Sequence, residues 1–346
     1  MVYNKYRIRK GGDILRKLAG ILLLFAVFLL TSCTKAPEKS EEYFFAMDTY
    51  MTIEAYGESA GNAVSQARLR VEELEKLWSA TDKNSEIYAL NHGENPELSA
   101  ETLDLLSFTL EMSAKTGGAF DVTIYPILTA WGFTTDEHRV PDEAELAELL
   151  EKVGYEKVSA DGKKVELEQG MMLDFGGAAK GYASDECARI MRESGVKSAL
   201  INLGGNVYAV GKRPDGNLWK IGIADPLGEN AENAGIVAVS DCAVVTSGGY
   251  QRYFTQNGKT YCHIIDPKTG FPADNDLLSV TVVAEEGRLC DVLSTALFVM
   301  GREQAERFWR ENGGFEMILI DKSGGISVTE GIVENFSSGR TVSVIK

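Results

Sequence analysis

Residues 173–182 combine a carboxylate, two glycines and a lysine at the spacing of a turn that leads into a helix. Asp174 ends a short apolar run, the glycines at 176–177 permit a tight turn, and a helix is predicted over 179–194. A strand, a glycine turn and a helix start in this order aim backbone N–H groups at an anion, with Lys180 one turn in. An ordinary connection between a strand and a helix has the same residues, so this segment alone leaves both interpretations open.

A second segment places a carboxylate and two hydroxyls on one face of a predicted helix. Asp291 and Thr295 are four residues apart, and Ser294 is three residues from Asp291. Oxygen ligands of this kind suit Mg²⁺ or Ca²⁺, with backbone carbonyls and water completing the coordination. The alternative is that Asp291 only caps the start of its helix.

Two further segments carry single candidate groups. His263 is followed by Asp-Pro-Lys-Thr-Gly at 266–270, which is a turn sequence, so the histidine is expected near a strand end. It is either a general base or a core histidine with satisfied hydrogen bonds.

Residues 117–126 end a helix and then present Phe120 and Asp121. They either pack on a flat ring and hydrogen-bond its edge, or form an ordinary strand.

Hydrophobic periodicity predicts the elements that must position these groups. Helices are expected at 62–78, 99–115, 141–153, 179–194, 288–300 and 302–312. Strands are expected at 44–56, 165–167, 171–173, 199–202, 219–224, 236–239, 243–246, 260–265 and 278–283, with a closing hairpin at 317–320 and 325–329. Because helices and strands do not alternate regularly, the pattern favours an α+β fold with largely antiparallel sheets flanked by helices.

The N-terminus has the pattern of an export signal. A basic leader precedes the apolar run 18–30, which is shorter than the ~20 residues of a membrane span. The run ends in Leu-Thr-Ser-Cys33, which resembles a lipobox, although an ordinary signal peptide followed by a chance cysteine is the alternative. We expect a signal peptide at 1–32, a lipidated cysteine and tether at 33–42 and one domain at 43–346. The protein is then anchored by lipid at the extracytoplasmic face of the cell membrane, the periplasmic side in a Gram-negative bacterium.

The charge composition limits the classes of molecule that the protein can bind. The 346-residue chain has a net charge of −16, and removal of residues 1–32, with six Lys/Arg and one Asp, leaves −21. Such an acidic surface repels nucleic acid, so an anionic cofactor needs a local binding site. The four cysteines after Cys33 permit disulfides outside the cytoplasm, but free, buried thiols are favoured in a chain large enough to form a full core.

Eight blocks of the sequence resemble, in order, the ApbE-type FAD:protein FMN transferases, bacterial flavin transferases that are often exported lipoproteins. The blocks are 47–49, 82–87, 118–126, 173–182, 202–206, 246–250, 263–270 and 291–301, and they extend over essentially the whole mature chain. The resemblance implies that FAD lies in a cleft between two halves of one large unit.

The resemblance also implies roles for individual residues. Positions that match FAD contacts are Met47, Trp78, Ala119, Phe120, Asp121, Asp174, Lys180 and Ile265. Positions that match Mg²⁺ ligands are Gly177 through its carbonyl, Asp291 and Thr295, with Ser294 as a candidate fourth ligand, and His263 matches the catalytic base. The chain departs from the family at Trp78, where tyrosine or another aromatic is frequent, and at Gly177, where Ala or Thr is commoner.

The implied function is Mg²⁺-dependent transfer of the FMN moiety of FAD to a Thr or Ser hydroxyl of an extracytoplasmic acceptor flavoprotein, with release of AMP. The acceptors would be subunits of membrane redox complexes with a segment like Asp-x-x-[Ser/Thr]-Gly-Ala-[Thr/Ser]. Attack by water would make the same site an FAD pyrophosphatase. A flavin-binding lipoprotein without catalysis is the non-enzymatic alternative, although simple binding needs neither His263 nor the pair Asp291 and Thr295.

Overall fold

A computed structural model describes residues 37–135, 137–228 and 232–346. The predicted signal peptide and the predicted lipidation site, Cys33, lie outside the described residues. Within them, no helix has both the length and the apolar character needed to cross a membrane. Residues Glu38–Lys346 form one compact unit.

The described residues form seven α-helices and sixteen β-strands. The helices are α1 Ala60–Trp78, α2 Glu86–Asn91, α3 Ala100–Lys115, α4 Tyr125–Ala130, α5 Glu143–Leu150, α6 Ala179–Glu193 and α7 Gly287–Asn312. The first eight strands are β1 Lys39–Ala46, β2 Thr49–Tyr56, β3 Ser159–Asp161, β4 Lys164–Glu166, β5 Ser198–Leu203, β6 Asn206–Gly211, β7 Trp219–Ala224 and β8 Asn233–Val239. The others are β9 Cys242–Gly248, β10 Tyr253–Gln256, β11 Lys259–Cys262, β12 Leu277–Ala284, β13 Glu316–Asp321, β14 Ile326–Thr329, β15 Phe336–Ser337 and β16 Val342–Ile345.

The predicted α+β fold with largely antiparallel sheets is confirmed. Nine strands form the central sheet in the order β1-β2-β5-β6-β9-β12-β13-β14-β16, and only the pair β14–β16 is parallel among its neighbours. Strands β15, β8 and β7 form a second antiparallel sheet. The predicted closing hairpin is the pair β13–β14.

Three apolar clusters hold these layers together. The largest joins α1, α3, α6 and α7 to one face of the central sheet. A second joins the other face of that sheet to the three-stranded sheet through residues such as Trp219, Val244 and Ile318. A third, centred on Trp131, joins α4, α5 and the segment around Ile265.

Two strand predictions are wrong in detail. The predicted strand 44–56 is a hairpin of β1 and β2, because Met47 and Asp48 adopt left-handed backbone conformations (φ 47° and 57°) that suit a two-residue turn. Strand β1 also begins at Lys39, so it overlaps the predicted tether 33–42 by four residues.

The strand predicted at 171–173 is reduced to a single parallel bridge between Ile124 and Met172. The backbone of its last residue, Leu173, hydrogen-bonds to a side chain and not to a neighbouring strand. Asn91 donates from Nδ2 to the carbonyl of Leu173 (2.9 Å) and accepts the Leu173 N–H at Oδ1 (2.7 Å). The buried Asn91 side chain therefore satisfies the residue that leads into the glycine turn.

The two predicted helices 288–300 and 302–312 correspond to α7, which is interrupted by a non-helical residue, Gly301 (φ 72°). Cys187, Cys242, Cys262 and Cys290 are free thiols in the described part of the chain, and three of them are buried.

Candidate active site

A cavity of about 800 Å³ brings most of the predicted site residues together. Its walls come from the β1–β2 turn, the end of α1, the turn before α6, the end of β9, the loop after β11 and the first turns of α7. Its volume is in the range of cofactor pockets, ~300–1,000 Å³. The predicted residues that line it are Met47, Trp78, Ala119, Phe120, Asp121, Asp174, Gly177, Lys180, His263, Ile265, Asp291 and Thr295. Ile264, Ile265 and Pro267 line the same cavity as Met47 to Thr49 and Gly204 to Asn206, which belong to other elements of the fold.

Asp291 is a buried carboxylate at the wall of this cavity, with 5% of its surface exposed. Its Oδ2 accepts a hydrogen bond from the backbone N–H of Gly181 on α6, at 2.8 Å. Burial raises the pKa of Asp291, and the positive charge of Lys180 and the Gly181 N–H oppose that rise. The Asn206 amide opposes the rise as well. A buried carboxylate of this kind is stabilised when a cation binds to it.

Gly177 and Thr295 meet beside Asp291. A Cβ placed on Gly177 would lie 3.0 Å from Cε2 of Phe120 and 3.7 Å from Oγ1 of Thr295. The backbone of Gly177 therefore lies next to the Thr295 hydroxyl, one helical turn after Asp291. The residues predicted to supply a carboxylate, a hydroxyl and a backbone carbonyl, Asp291, Thr295 and Gly177, therefore all lie at the cavity.

Ser294 is placed differently from its neighbours. It is fully buried and does not line the cavity; its hydroxyl lies 2.8 Å from Oγ of Ser247 and donates to the carbonyl of Asp291 at 2.9 Å. Ser247, which does line the cavity, lies 3.3 Å from Oγ1 of Thr295. In this arrangement the Ser294 hydroxyl is engaged with Ser247 and the Asp291 carbonyl and does not line the cavity, and its role as a fourth ligand stays a prediction.

The donor set at this wall fits a hard divalent cation. Asn206 lines the same cavity and is 1% exposed, and its amide lies close enough to Asp291 to lower the pKa of that carboxyl, although neither Oδ1 nor Nδ2 makes a hydrogen bond of full geometry among the described residues. An unpaired buried amide oxygen, the Asp291 carboxylate, the Thr295 hydroxyl and the Gly177 carbonyl are the oxygen ligands that Mg²⁺ prefers. In the described residues no three His, Cys, Asp or Glu side chains cluster to hold a metal ion.

Several backbone N–H groups of the glycine turn before α6 donate to acceptors within the protein. The N–H groups of Ala178 and Ala179 both donate to the carbonyl of Phe175, at 2.9 and 2.8 Å. That of Gly181 donates to Asp291. Local spacing does not reveal that a carboxylate from another helix accepts one of these N–H groups, and of the two interpretations the one in which this turn holds an anion stays a prediction. Lys180 remains at the cavity, where its Nζ donates to the Gly176 carbonyl at 3.2 Å.

Asp174, just before the turn, also lines the cavity. Burial raises its pKa, and the backbone N–H of Gly176 and the charges of Lys180 and Arg252 counter that rise. The turn therefore brings a carboxylate and a lysine to the same wall.

His263 directly follows the last residue of β11, as its turn sequence predicts, and lies at the cavity wall. Its Nδ1 lies 3.2 Å from the carbonyl oxygen of Arg252. Because a carbonyl only accepts, Nδ1 carries the proton of the neutral imidazole and Nε2 keeps its lone pair. Burial lowers the pKa of His263 to about 4, and the charges of Arg252 and Lys180 act in the same direction. The side chain is neutral at neutral pH and can accept a proton at Nε2.

Trp78 and Asp121 line the cavity, but their polar atoms are hydrogen-bonded to other residues of the protein. Trp78 is 4% exposed, donates from Nε1 to Thr102 (3.0 Å) and packs edge-on against two aromatic rings. Oδ1 of Asp121 accepts from the N–H (2.9 Å) and hydroxyl (2.6 Å) of Thr123, and Oδ2 accepts from the N–H of Tyr155 (3.1 Å). Both residues shape the wall, and Asp121 organises the loop that presents Phe120.

Sequence analysis missed several residues of this wall. Asn206 and Ser247 lie inside blocks that resemble the flavin transferases, so their position in those blocks was an available signal. Glu75, whose Oε1 accepts the N–H of Met47 at 2.6 Å, is an ordinary acidic residue of α1 in the sequence. Arg252 has no sequence signal, because its role is to hold His263 through a backbone carbonyl.

Comparison with known proteins places the chain in a family. The sequence pattern of the ApbE family matches residues 47–319. A FAD:protein FMN transferase of Treponema pallidum is 34% identical over 292 residues, which are 79% of this chain and 80% of that protein. One of Salmonella typhimurium is 30% identical over 323 residues, 87% of this chain and 91% of that protein.

Solved structures agree with this placement. The ApbE protein of Thermotoga maritima is 31% identical, with a TM-score of 0.81 over 86% of this chain and 99% of that one. The apo form of the flavinyl transferase ApbE of Pseudomonas stutzeri is 27% identical, with a TM-score of 0.79 over 89% and 99%. The fold and the cavity thus belong to an enzyme, a transferase. The chain is a member of the ApbE family.

Proposed function

We propose that this protein transfers the FMN moiety of FAD to a Thr or Ser hydroxyl of an extracytoplasmic acceptor flavoprotein, with Mg²⁺ present and AMP released. The names of its relatives, FAD:protein FMN transferase, support flavin transfer. The observation that carries the proposal is the arrangement of one cavity. Neutral His263 lines this cavity together with the buried carboxylate of Asp291, the Thr295 hydroxyl and Gly177.

The residues that would hold Mg²⁺ are Asp291, Thr295 and the carbonyl of Gly177, with the buried Asn206 amide next to Asp291. When bound, the ion would offset the negative charge that develops on the pyrophosphate of FAD. Lys180 and Arg252 add positive charge at the same cavity. These charges favour binding of a dianionic pyrophosphate in a protein whose overall charge is strongly negative.

The protein's own residues account for the proton transfer. Nε2 of His263 accepts the proton of the acceptor hydroxyl as the hydroxyl oxygen forms a bond to the FMN-side phosphorus. The bond from that phosphorus to the bridging oxygen breaks, and AMP leaves with the bridging oxygen. Arg252 holds the ring through its carbonyl on Nδ1, so Nε2 is the nitrogen available for this step.

Labelling of an acceptor tests the transfer. Purified protein is incubated with FAD, Mg²⁺ and an acceptor that carries the Asp-x-x-[Ser/Thr]-Gly-Ala-[Thr/Ser]-like segment, and AMP release and in-gel flavin fluorescence are followed together. We expect a fluorescent acceptor band and equimolar AMP, both lost in His263→Ala and kept in the control His92→Ala, whose side chain lies outside the cavity. FMN and AMP without a labelled acceptor would instead indicate an FAD pyrophosphatase. Intact FAD would indicate a flavin-binding protein.

We also propose that the mature protein is lipidated at Cys33 and anchored at the extracytoplasmic face of the membrane. The support is the leader, the apolar run 18–30 and the lipobox-like Leu-Thr-Ser-Cys33. Metabolic palmitate labelling and membrane fractionation test this proposal. Loss of both label and membrane association in Cys33→Ser is expected, and an unlabelled wild-type protein would refute lipidation.

A further inference from the structure

Helices α6 and α7 contain the same pattern, Gly-x-x-x-Asp, and each aspartate caps the other helix. The pattern is Gly181 to Asp185 in α6 and Gly287 to Asp291 in α7. The Gly181 N–H donates to Oδ2 of Asp291 at 2.8 Å. In return, the Gly287 N–H donates to Oδ1 of Asp185 at 2.6 Å, and the Arg288 N–H donates to Oδ2 of Asp185 at 3.0 Å. The two helix starts are therefore joined by reciprocal caps.

These caps replace the local ones that both helices lack. The residues before α6 and α7 are Ala178 and Glu286, and neither side chain accepts a hydrogen bond from its own helix. The first N–H groups of a helix have no partner within it, and a carboxylate placed there also interacts favourably with the helix dipole. Asp185 therefore supplies the hydrogen-bond acceptor for the first N–H groups of α7, which the segment before α7 lacks.

Two glycines let the helix backbones touch at this point. A Cβ on Gly181 would lie 2.4 Å from the carbonyl oxygen of Gly287. A Cβ on Gly287 would lie 2.2 Å from Oγ of Ser184 and 2.6 Å from the carbonyl oxygen of Gly181. Such short separations exclude any side chain at either position, so the contact determines how far apart α6 and α7 begin.

We propose that Asp185 is a positioning residue of the cation site. By holding the start of α7 against α6, it keeps Asp291 and Thr295 of α7 beside Gly177, which lies two residues before the start of α6. Asp185 does not line the cavity, so it acts only through the two helices. This inference rests on the proposed Mg²⁺-dependent function, and outer partners that orient metal ligands typically change metal affinity by ~10–100-fold when they are removed.

Binding of Mn²⁺ alone, measured by the EPR signal of the free ion with full-length protein in detergent, tests the proposal. The variants are Asp185→Ala, Asp185→Asn and the control Asp142→Ala. Asp142 caps α5 through the Glu145 N–H at 2.8 Å and does not line the cavity, so its loss removes a helix cap without touching the site. Thermal unfolding of each variant shows that binding is compared in folded protein.

We expect Asp185→Ala to weaken Mn²⁺ binding by about tenfold. Asp185→Asn keeps one acceptor oxygen, so its loss should be smaller, and Asp142→Ala should bind as the wild type does. The Mg²⁺ concentration for half-maximal turnover should rise in the same order. Wild-type affinity in folded Asp185→Ala, or an equal loss in Asp142→Ala, would overturn the proposal.

Two further outcomes are decisive. If Asp185→Ala does not fold, Asp185→Asn decides by the same comparison with Asp142→Ala. If the wild type binds no Mn²⁺, the cation site of the proposed function fails and the role of Asp185 fails with it. If the wild type binds and the Asp185 variants bind equally well, only the role of Asp185 is refuted.

Discussion

Two glycines four residues apart, Gly177 and Gly181, should differ in how much an alanine substitution destabilises the protein. An alanine Cβ at Gly181 meets backbone, 2.4 Å from the Gly287 carbonyl oxygen and 2.7 Å from Cα of Arg288. At Gly177 it meets the edge of the Phe120 ring at 3.0 Å, and a ring can move by a few tenths of an ångström. Gly177→Ala is therefore a matched control for Gly181→Ala.

The expected loss of stability follows from the atoms that the new Cβ would displace. Because backbone cannot yield without separating α6 from α7, Gly181→Ala should cost about 3 kcal/mol, the upper end for an overpacked site. The better helix propensity of alanine returns about 1 kcal/mol. The net loss of about 2 kcal/mol should lower Tm by about 4 °C in a chain of this size. Gly177→Ala should change the free energy of unfolding by less than about 1 kcal/mol.

Urea unfolding and thermal unfolding of both variants measure these changes, and Mn²⁺ binding adds a functional readout. Separation of the helices lengthens the hydrogen bond from Gly181 to Asp291, so Gly181→Ala should also bind Mn²⁺ more weakly than Gly177→Ala. The reasoning is refuted if Gly181→Ala is as stable as the wild type. It is also refuted if Gly177→Ala is the more damaging of the two.

Three further predictions concern the residues around the turn and the base. The chain has three histidines, and in an NMR titration the His263 signal, identified by its loss in His263→Ala, should remain neutral down to about pH 4. The unfolded chain protonates this ring near its ordinary pKa of 6.5. The contribution of neutral His263 to the free energy of unfolding is therefore complete above pH 6.5 and is lost as the pH falls towards 4. A folded-state titration of His263 near pH 6.5 would contradict this prediction. Asn91→Ala leaves the N–H and carbonyl of Leu173 unpaired and should destabilise the protein by about 3 kcal/mol in urea unfolding; a loss below about 1 kcal/mol would show that water replaces the side chain. Asp291→Asn should abolish Mn²⁺ binding measured by EPR, and wild-type affinity would remove Asp291 from the cation site.

The sequence was most informative where an interaction is local. Apolar spacing predicted α1, α3 and α6 to within two residues at each end, and the turn sequence at 266–270 placed His263 after a strand. The spacing of Asp291 and Thr295 predicted that they share a helix face, and both line the cavity. In each case the residues that determine the structure are neighbours along the chain.

Tertiary structure decided the partners of those local groups. The N–H groups at the start of α6 were predicted to face an anion, yet the one at Gly181 is taken by Asp291, more than a hundred residues away. Ser294 shares the pattern of Asp291 and Thr295 but is buried against Ser247. No spacing rule reveals these outcomes, because they depend on how close two distant elements approach.

The sequence by itself therefore determined the class of fold, the positions of the longer helices and most of the predicted residues that line the cavity. Only the tertiary structure decided which hydrogen bonds those residues make, that burial and nearby cations keep His263 neutral, and that Asp185 and Asp291 cap each other's helices. The physical reason is that periodicity and turn propensity act over a few residues. Burial, charge and capping across helices depend instead on contacts between segments far apart in the chain.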